Sequence, residues 1–156
     1  MLADSVPRAD LWVGPGGRAR IAIDSDMRAV RGGMRSLMSC DLMGGLDEDC
    51  RATAEIVLAE VLNNVVEHAY ARFPGRIEVL MRRLEHDLRF IVADRGLPMP
   101  GAALPPGQLG GALRAEDLPE GGFGWFLIRT LSHSLSYRRL GNRNLLGFSV
   151  SATYRP

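Results

Sequence analysis

The stretch Glu60-Val61-Leu62-Asn63-Asn64-Val65-Val66-Glu67-His68-Ala69-Tyr70 carries two patterns at once. Val57, Leu58, Val61, Leu62 and Val65 recur at helical spacing and make an apolar stripe. Glu60, Asn64 and His68 fall four residues apart, so on a helix they form one polar line beside that stripe. A carboxylate and an amide one turn apart on a half-buried face suit work on a metal ion. Asp47, Glu48 and Asp49 put negative charge where a helix start favours it, and Phe73-Pro74-Gly75 stops the element.

Two further segments join this helix. Asp94-Arg95-Gly96 ends a strand with a carboxylate able to accept an amino proton of a base, and Gly121-Gly122-Phe123-Gly124 opens a helix whose free N–H groups favour phosphate. Each has a bland explanation when taken alone. Glu60 and Asn64 fit a solvated helix face, Asp94-Arg95-Gly96 fits a turn after a strand, and the glycines fit a tight helix entry. His68 reads best as a structural histidine near a helix end, bonding a carbonyl or meeting the dipole. Found together in this order, the three segments point to a bound nucleotide.

The rest of the chain frames them. Arg18 to Asp24 places Ile21 and Ile23 on one side of a strand, and Ser25 or Asp24 is placed to cap a helix towards Met38. That helix buries Met27, Val30, Met34, Leu37 and Met38, with Gly32-Gly33 permitting close packing or a kink. Ile77, Val79 and Met81 alternate inward, then Leu88, Phe90 and Val92 do the same, which predicts a hairpin around Glu85-His86-Asp87. Leu97 to Gly122 is rich in proline and glycine and lies between two candidate nucleotide segments, so it reads as a lid. A helix from Gly124 to Ser132 with Trp125, Ile128 and Leu131 inward precedes two strands joined at Gly141-Asn142. Trp125 and Phe126 read as core or lid-facing packing. Residues 1–17 form a loose arm with a short edge segment, and 18–156 form one domain with the lid at 97–122.

At 156 residues the chain is long enough to bury a core without disulfides. A net charge of +1 gives no footprint for direct nucleic-acid binding. Cys40 and Cys50 lack zinc or redox-pair spacing, which fits free, partly buried thiols in a reducing cytoplasm. No membrane contact is expected, because Glu60 interrupts the apolar run well short of a span.

Taken in chain order, these motifs resemble the GHKL ATPase superfamily, which includes gyrase, Hsp90, MutL and histidine kinases. The form Glu-Val-x-x-Asn-x-x-x-His-Ala-Tyr is most similar to the bacterial anti-sigma-factor serine/threonine kinases of the RsbW and SpoIIAB type, and the resemblance covers nearly the whole chain. It implies an α/β (α+β) two-layer sandwich of the Bergerat type, with a mixed, mostly antiparallel sheet covered by helices on one face. It also implies ATP and Mg2+. Asn64 matches the asparagine that binds magnesium, Glu60 the catalytic glutamate, Asp94 the aspartate that bonds the adenine amino group, and Gly96 the glycine that lets the base lie close to backbone. Gly122 and Gly124, with neighbours Gly121 and Phe123, match the second glycine box, whose amides hold phosphate.

By the same resemblance the chain binds a sigma factor and phosphorylates a serine or threonine of a STAS-type anti-anti-sigma protein, and a homodimer is compatible with it. Three positions depart from the pattern. Pro98 stands where many members have a second glycine, Phe123 stands where several have a polar residue, and no adenine-bonding threonine is identifiable in Asn144 to Ser149. The alternatives are a non-catalytic module acting by sequestration, and, less well matched, the catalytic domain of a histidine kinase.

Overall fold

A computed structural model of the protein describes residues 9–107 and 122–156. Six strands, β1 (Ala9–Gly14), β2 (Arg18–Asp24), β3 (Arg76–Arg83), β4 (Asp87–Asp94), β5 (His133–Leu140) and β6 (Arg143–Ser151), form one sheet in the order β1-β2-β3-β4-β6-β5. Every neighbouring pair among the described residues is antiparallel, so the sheet is the wholly antiparallel form of the expected two-layer sandwich. Three helices, α1 (Met27–Met38), α2 (Glu48–Asn64) and α3 (Gly122–Leu131), pack on one of its faces. The short edge segment expected in the arm is β1.

Alternation builds the core. Ile21 and Ile23, Ile77, Val79 and Met81, Leu88, Phe90 and Val92, and Leu146, Phe148 and Val150 all point beneath the helices and are buried. Phe90 and Phe148 are direct cross-strand partners whose rings stack at 5.0 Å and 16°, the close pairing that stabilises a sheet face. From the helix side, Val57, Leu58, Val61 and Leu62 are fully buried. None of the described helices is long and apolar enough to cross a membrane.

The cap of α1 lies one residue beyond the expected pair. Asp26 accepts from the Ala29 amide at 2.9 Å, while Ser25 is engaged elsewhere, its hydroxyl accepting from the Gly75 amide at 2.8 Å. Met27 is exposed rather than buried, and Ala29 takes the inward position. The glycine pair serves packing. A β-carbon at Gly33 would stand 2.6 Å from Cδ1 of Ile23, whereas one at Gly32 would meet nothing within 4 Å. Gly32→Ala is therefore expected to raise stability by about 0.5–1 kcal/mol through helix propensity, and Gly33→Ala to lower it by about 1–2 kcal/mol through overpacking. Chemical denaturation of the two variants checks this, and equal effects would contradict the packing role.

Candidate nucleotide-binding site

Four element ends meet above the core: the C-terminal ends of α2 and β4, the start of β6 and the start of α3. Asp47 caps α2, accepting from the Asp49 amide at 3.0 Å. The far end of α2 does not stop as a plain α-helix. Residues Val65–Ala69 form a π-turn, with the Tyr70 amide returning to the Val65 carbonyl at 3.0 Å, a widening of the kind often met at functional sites. The Ala69 carbonyl at this helix end accepts from the Leu97 amide at 2.7 Å. His68 is exposed at the rim of the cavity described below, in the last turn where the dipole favours it, and it makes no hydrogen bond among the described residues.

Tyr70 locks this end to the strand corner. Its buried hydroxyl donates to the Arg76 carbonyl at 2.7 Å and accepts from the Arg95 amide at 2.9 Å. Burial pushes the phenol above its ordinary value, so it stays a neutral donor. Gly96 has a reason to be glycine beyond any contact with a base. A β-carbon there would stand 2.3 Å from the Ala69 carbonyl oxygen, so the corner and the π-turn pack backbone against backbone.

Asp94 is buried on the core face of β4, directly opposite Asn144 on β6. Its Oδ1 accepts from Gly96 N at 2.8 Å and from Asn144 Nδ2 at 2.7 Å, while no described residue bonds Oδ2. Desolvation is the largest influence on this carboxyl and holds it above the ordinary aspartate value, although the bonds from Asn144 and Gly96 and the charge of Arg139 pull the other way. Such an imperfectly compensated carboxylate in a cleft is a mark of a functional position.

Asn144 is the residue that sequence reasoning missed. Its Nδ2 donates to Asp94 and to the Leu97 carbonyl at 2.9 Å, and its Oδ1 accepts from the Tyr137 hydroxyl at 2.7 Å and from Arg139 at 2.9 Å. The Tyr137 hydroxyl accepts in turn from Met99 N, and Arg139 reaches the Gly96 carbonyl. A signal was available: in the alternation of β6, Asn144 shares the buried face with Leu146, Phe148 and Val150, and an amide on a core face demands partners. Asn144→Ala is expected to cost about 1–3 kcal/mol of stability, because Asp94 and Leu97 lose a buried donor. Thermal unfolding checks this, and a neutral effect would remove Asn144 from the network.

These groups surround a cavity of about 210 Å³. Val61, Val65, Leu97, Met99, Trp125 and Leu146 supply apolar walls, and Asn64, Asp94 and Asn144 the polar points. Among the described residues the Asn64 amide nitrogen is buried without a hydrogen-bond partner. Such a group costs about 1–3 kcal/mol unless a ligand completes it. With no partner to fix the amide's orientation, a half-turn presents the carbonyl oxygen at the same place. Glu60 lies one turn earlier, against the start of α3, where a β-carbon at Gly124 would stand 2.6 Å from its Oε2. Gly122 opens α3 and Phe123 is exposed beside it, stacked on Phe126 at 6.1 Å. Gly121 and lid residues 108–121 lie outside the described residues.

The described residues 97–107 lie along the cavity. Besides the Met99 bond, the Pro105 carbonyl accepts from Arg129 Nε at 2.8 Å, and Gly107 sits tightly on the Trp125 carbonyl. Residues present thus fit a planar base with an exocyclic amine at the spare Asp94 oxygen. Among the described residues no three His, Cys, Asp or Glu cluster; the Asn64 side-chain oxygen fits a hard cation that would take its remaining oxygens from phosphate and water.

Residues 23–150 match the family model of the histidine kinase-like ATPase domain. The chain belongs to that family. Curated relatives include the serine/threonine-protein kinase BtrW of Bordetella bronchiseptica, 34% identical over 98 residues that cover 62% of this chain and 67% of that protein. The serine-protein kinase RsbW of Bacillus mycoides is 33% identical over 89 residues, 56% of each chain, and that of Bacillus thuringiensis 34% over 79 residues, 49% of each. The match therefore spans about half the length of the RsbW relatives. Family membership bears out the GHKL resemblance, and the names of the relatives agree with its kinase branch.

Proposed function

We propose that the chain binds Mg-ATP in the cavity between α2, β4 and β6 and transfers the terminal phosphoryl group to a serine or threonine of a small STAS-type antagonist, while its other partner is a sigma factor. The observation that carries this reading is the pairing, across one cavity, of a buried carboxylate and a buried amide nitrogen, each with a polar atom that no described residue bonds. Asp94 would accept from the adenine amino group, held in register by Asn144. Asn64 would hold magnesium, which neutralises phosphate charge. The backbone amides at the start of α3, at Gly122 and Gly124, would hold phosphate oxygens.

Glu60 lies next to Gly124 and would meet the acceptor hydroxyl there. It would take the hydroxyl proton as the new O–P bond forms and the bond between the terminal phosphorus and the bridging oxygen breaks, so that ADP leaves. Positioning dominates such a transfer. The segment from Leu97 onward would act as the lid, hinged on its bonds to Tyr137 and Arg129. A cytoplasmic setting agrees with the free thiols Cys40 and Cys50.

The second reading is a module that regulates by sequestration, and the exposed ring of Phe123 at the phosphate-side helix entry favours it. Purified protein, labelled ATP and candidate antagonists decide between them. Label on the antagonist's serine or threonine supports the kinase. An antagonist that binds tightly yet takes up no label supports sequestration.

A further inference from the structure

The face of the sheet away from the helices carries its own pattern. Arg18, Arg82 and Arg89 are direct cross-strand partners on β2, β3 and β4, and none has a carboxylate partner among the described residues. Like charges placed directly opposite one another destabilise a sheet, so an unpaired row of three calls for something that neutralises it. Arg20, Arg76, Arg138 and Arg143 alternate onto the same face, against Asp10, Asp24, Glu78 and Asp87. Seven arginines against four carboxylates leave this face at +3 in a chain whose total is +1, so the remainder is at −2.

Beside the arginine row runs an apolar one. Trp12, Leu80 and Ile91 lie in one cross-strand register, with Arg20, paired to Glu78, between Trp12 and Leu80, and the three are 54%, 40% and 37% exposed. The Trp12 ring lies flat over Gly14, where a β-carbon would come within 1.9 Å of it. Its position is therefore set in advance, as suits an interface anchor. At one end of the face, a depression of about 200 Å³ is walled by Arg76, Arg95 and Arg143, by the carboxylates Glu78 and Asp94, and by Tyr70 and Phe73.

We infer that this open sheet face docks an acidic protein segment whose carboxylates meet the arginine row and whose apolar side chains cover Trp12, Leu80 and Ile91. Tryptophan and arginine together are the residues that anchor protein interfaces. A second copy placed face to face would set arginine row against arginine row. Nucleic acid or an anionic bilayer is uniformly negative, and the four interspersed carboxylates oppose it, whereas a protein matches a mixed pattern point by point.

The test uses the full chain and a synthetic peptide of alternating glutamate and leucine, titrated at physiological salt. The sheet-face variant Arg18→Glu/Arg82→Glu is compared with Arg28→Glu/Arg31→Glu on the exposed face of α1, which has the same net charge. Wild type is expected to bind the peptide, the sheet-face variant to bind it at least tenfold more weakly, and the α1 variant to stay within twofold. Leu80→Asp is expected to weaken binding as well. ATP affinity and melting temperature, followed in parallel, should stay unchanged in the sheet-face variant, which separates this surface from the nucleotide site and from misfolding. No binding by wild type, equal loss in both charge variants, or stronger binding of duplex DNA or phosphatidylglycerol vesicles than of the peptide overturns the inference.

Discussion

Glu60→Gln is expected to lower phosphoryl transfer to the antagonist by about 10²–10⁴-fold, the usual contribution of a positioned general base. The substitution keeps the size and polarity of the side chain against Gly124, so fold and ATP affinity should hold. Single-turnover transfer and a separate nucleotide titration distinguish the two quantities. Transfer at the wild-type rate would show that Glu60 takes no part, and a parallel loss of ATP affinity would show that it serves binding instead.

Asp94→Asn is expected to separate stability from affinity. An asparagine keeps an oxygen for the Asn144 and Gly96 donors but turns an amide donor towards the place of the adenine amine, so ATP affinity should fall about ten- to hundredfold, the worth of one hydrogen bond to a charged group. Stability should move the other way. Burial raises the Asp94 carboxyl above the ordinary 3.8, so the native state holds its proton more tightly than the unfolded chain. That contribution is fully present below the unfolded value and is lost as pH rises through the folded one. Wild type should therefore lose stability relative to Asp94→Asn as pH climbs from about 4, with a constant gap once Asp94 is ionised. Denaturant unfolding across that range checks the sign. A variant less stable than wild type at neutral pH, with unchanged ATP affinity, would contradict both halves.

The parts of this architecture that alternate or recur were legible in the sequence. The hairpin of β3 and β4 and the stripe of α2 place the same side chains inward in the chain's pattern and in the fold. What escaped was set by tertiary contact. The π-turn at Val65–Ala69 contains neither proline nor glycine and answers to the Leu97 amide, which is distant in sequence. Asp26 caps α1 because Ser25 is drawn to Gly75, another long-range partner. At the site, Asp94, Asn64, Glu60 and Gly124 were found as separate short motifs, and the fold brings them to one cavity and its edge. Asn144 belongs to no short motif; only its place on the inward face of β6, opposite Asp94, marks it as a polar group in need of partners.

Calorimetric titration of the purified chain with ATP, with and without magnesium, tests most directly whether this cavity holds an adenine nucleotide. The expected result is saturable binding of one nucleotide per chain, tighter with magnesium, together with about 2.7 kcal/mol of added stability at a hundred times the dissociation constant. Absence of both heat and melting shift with ATP and ADP at millimolar concentration, magnesium present, would contradict it.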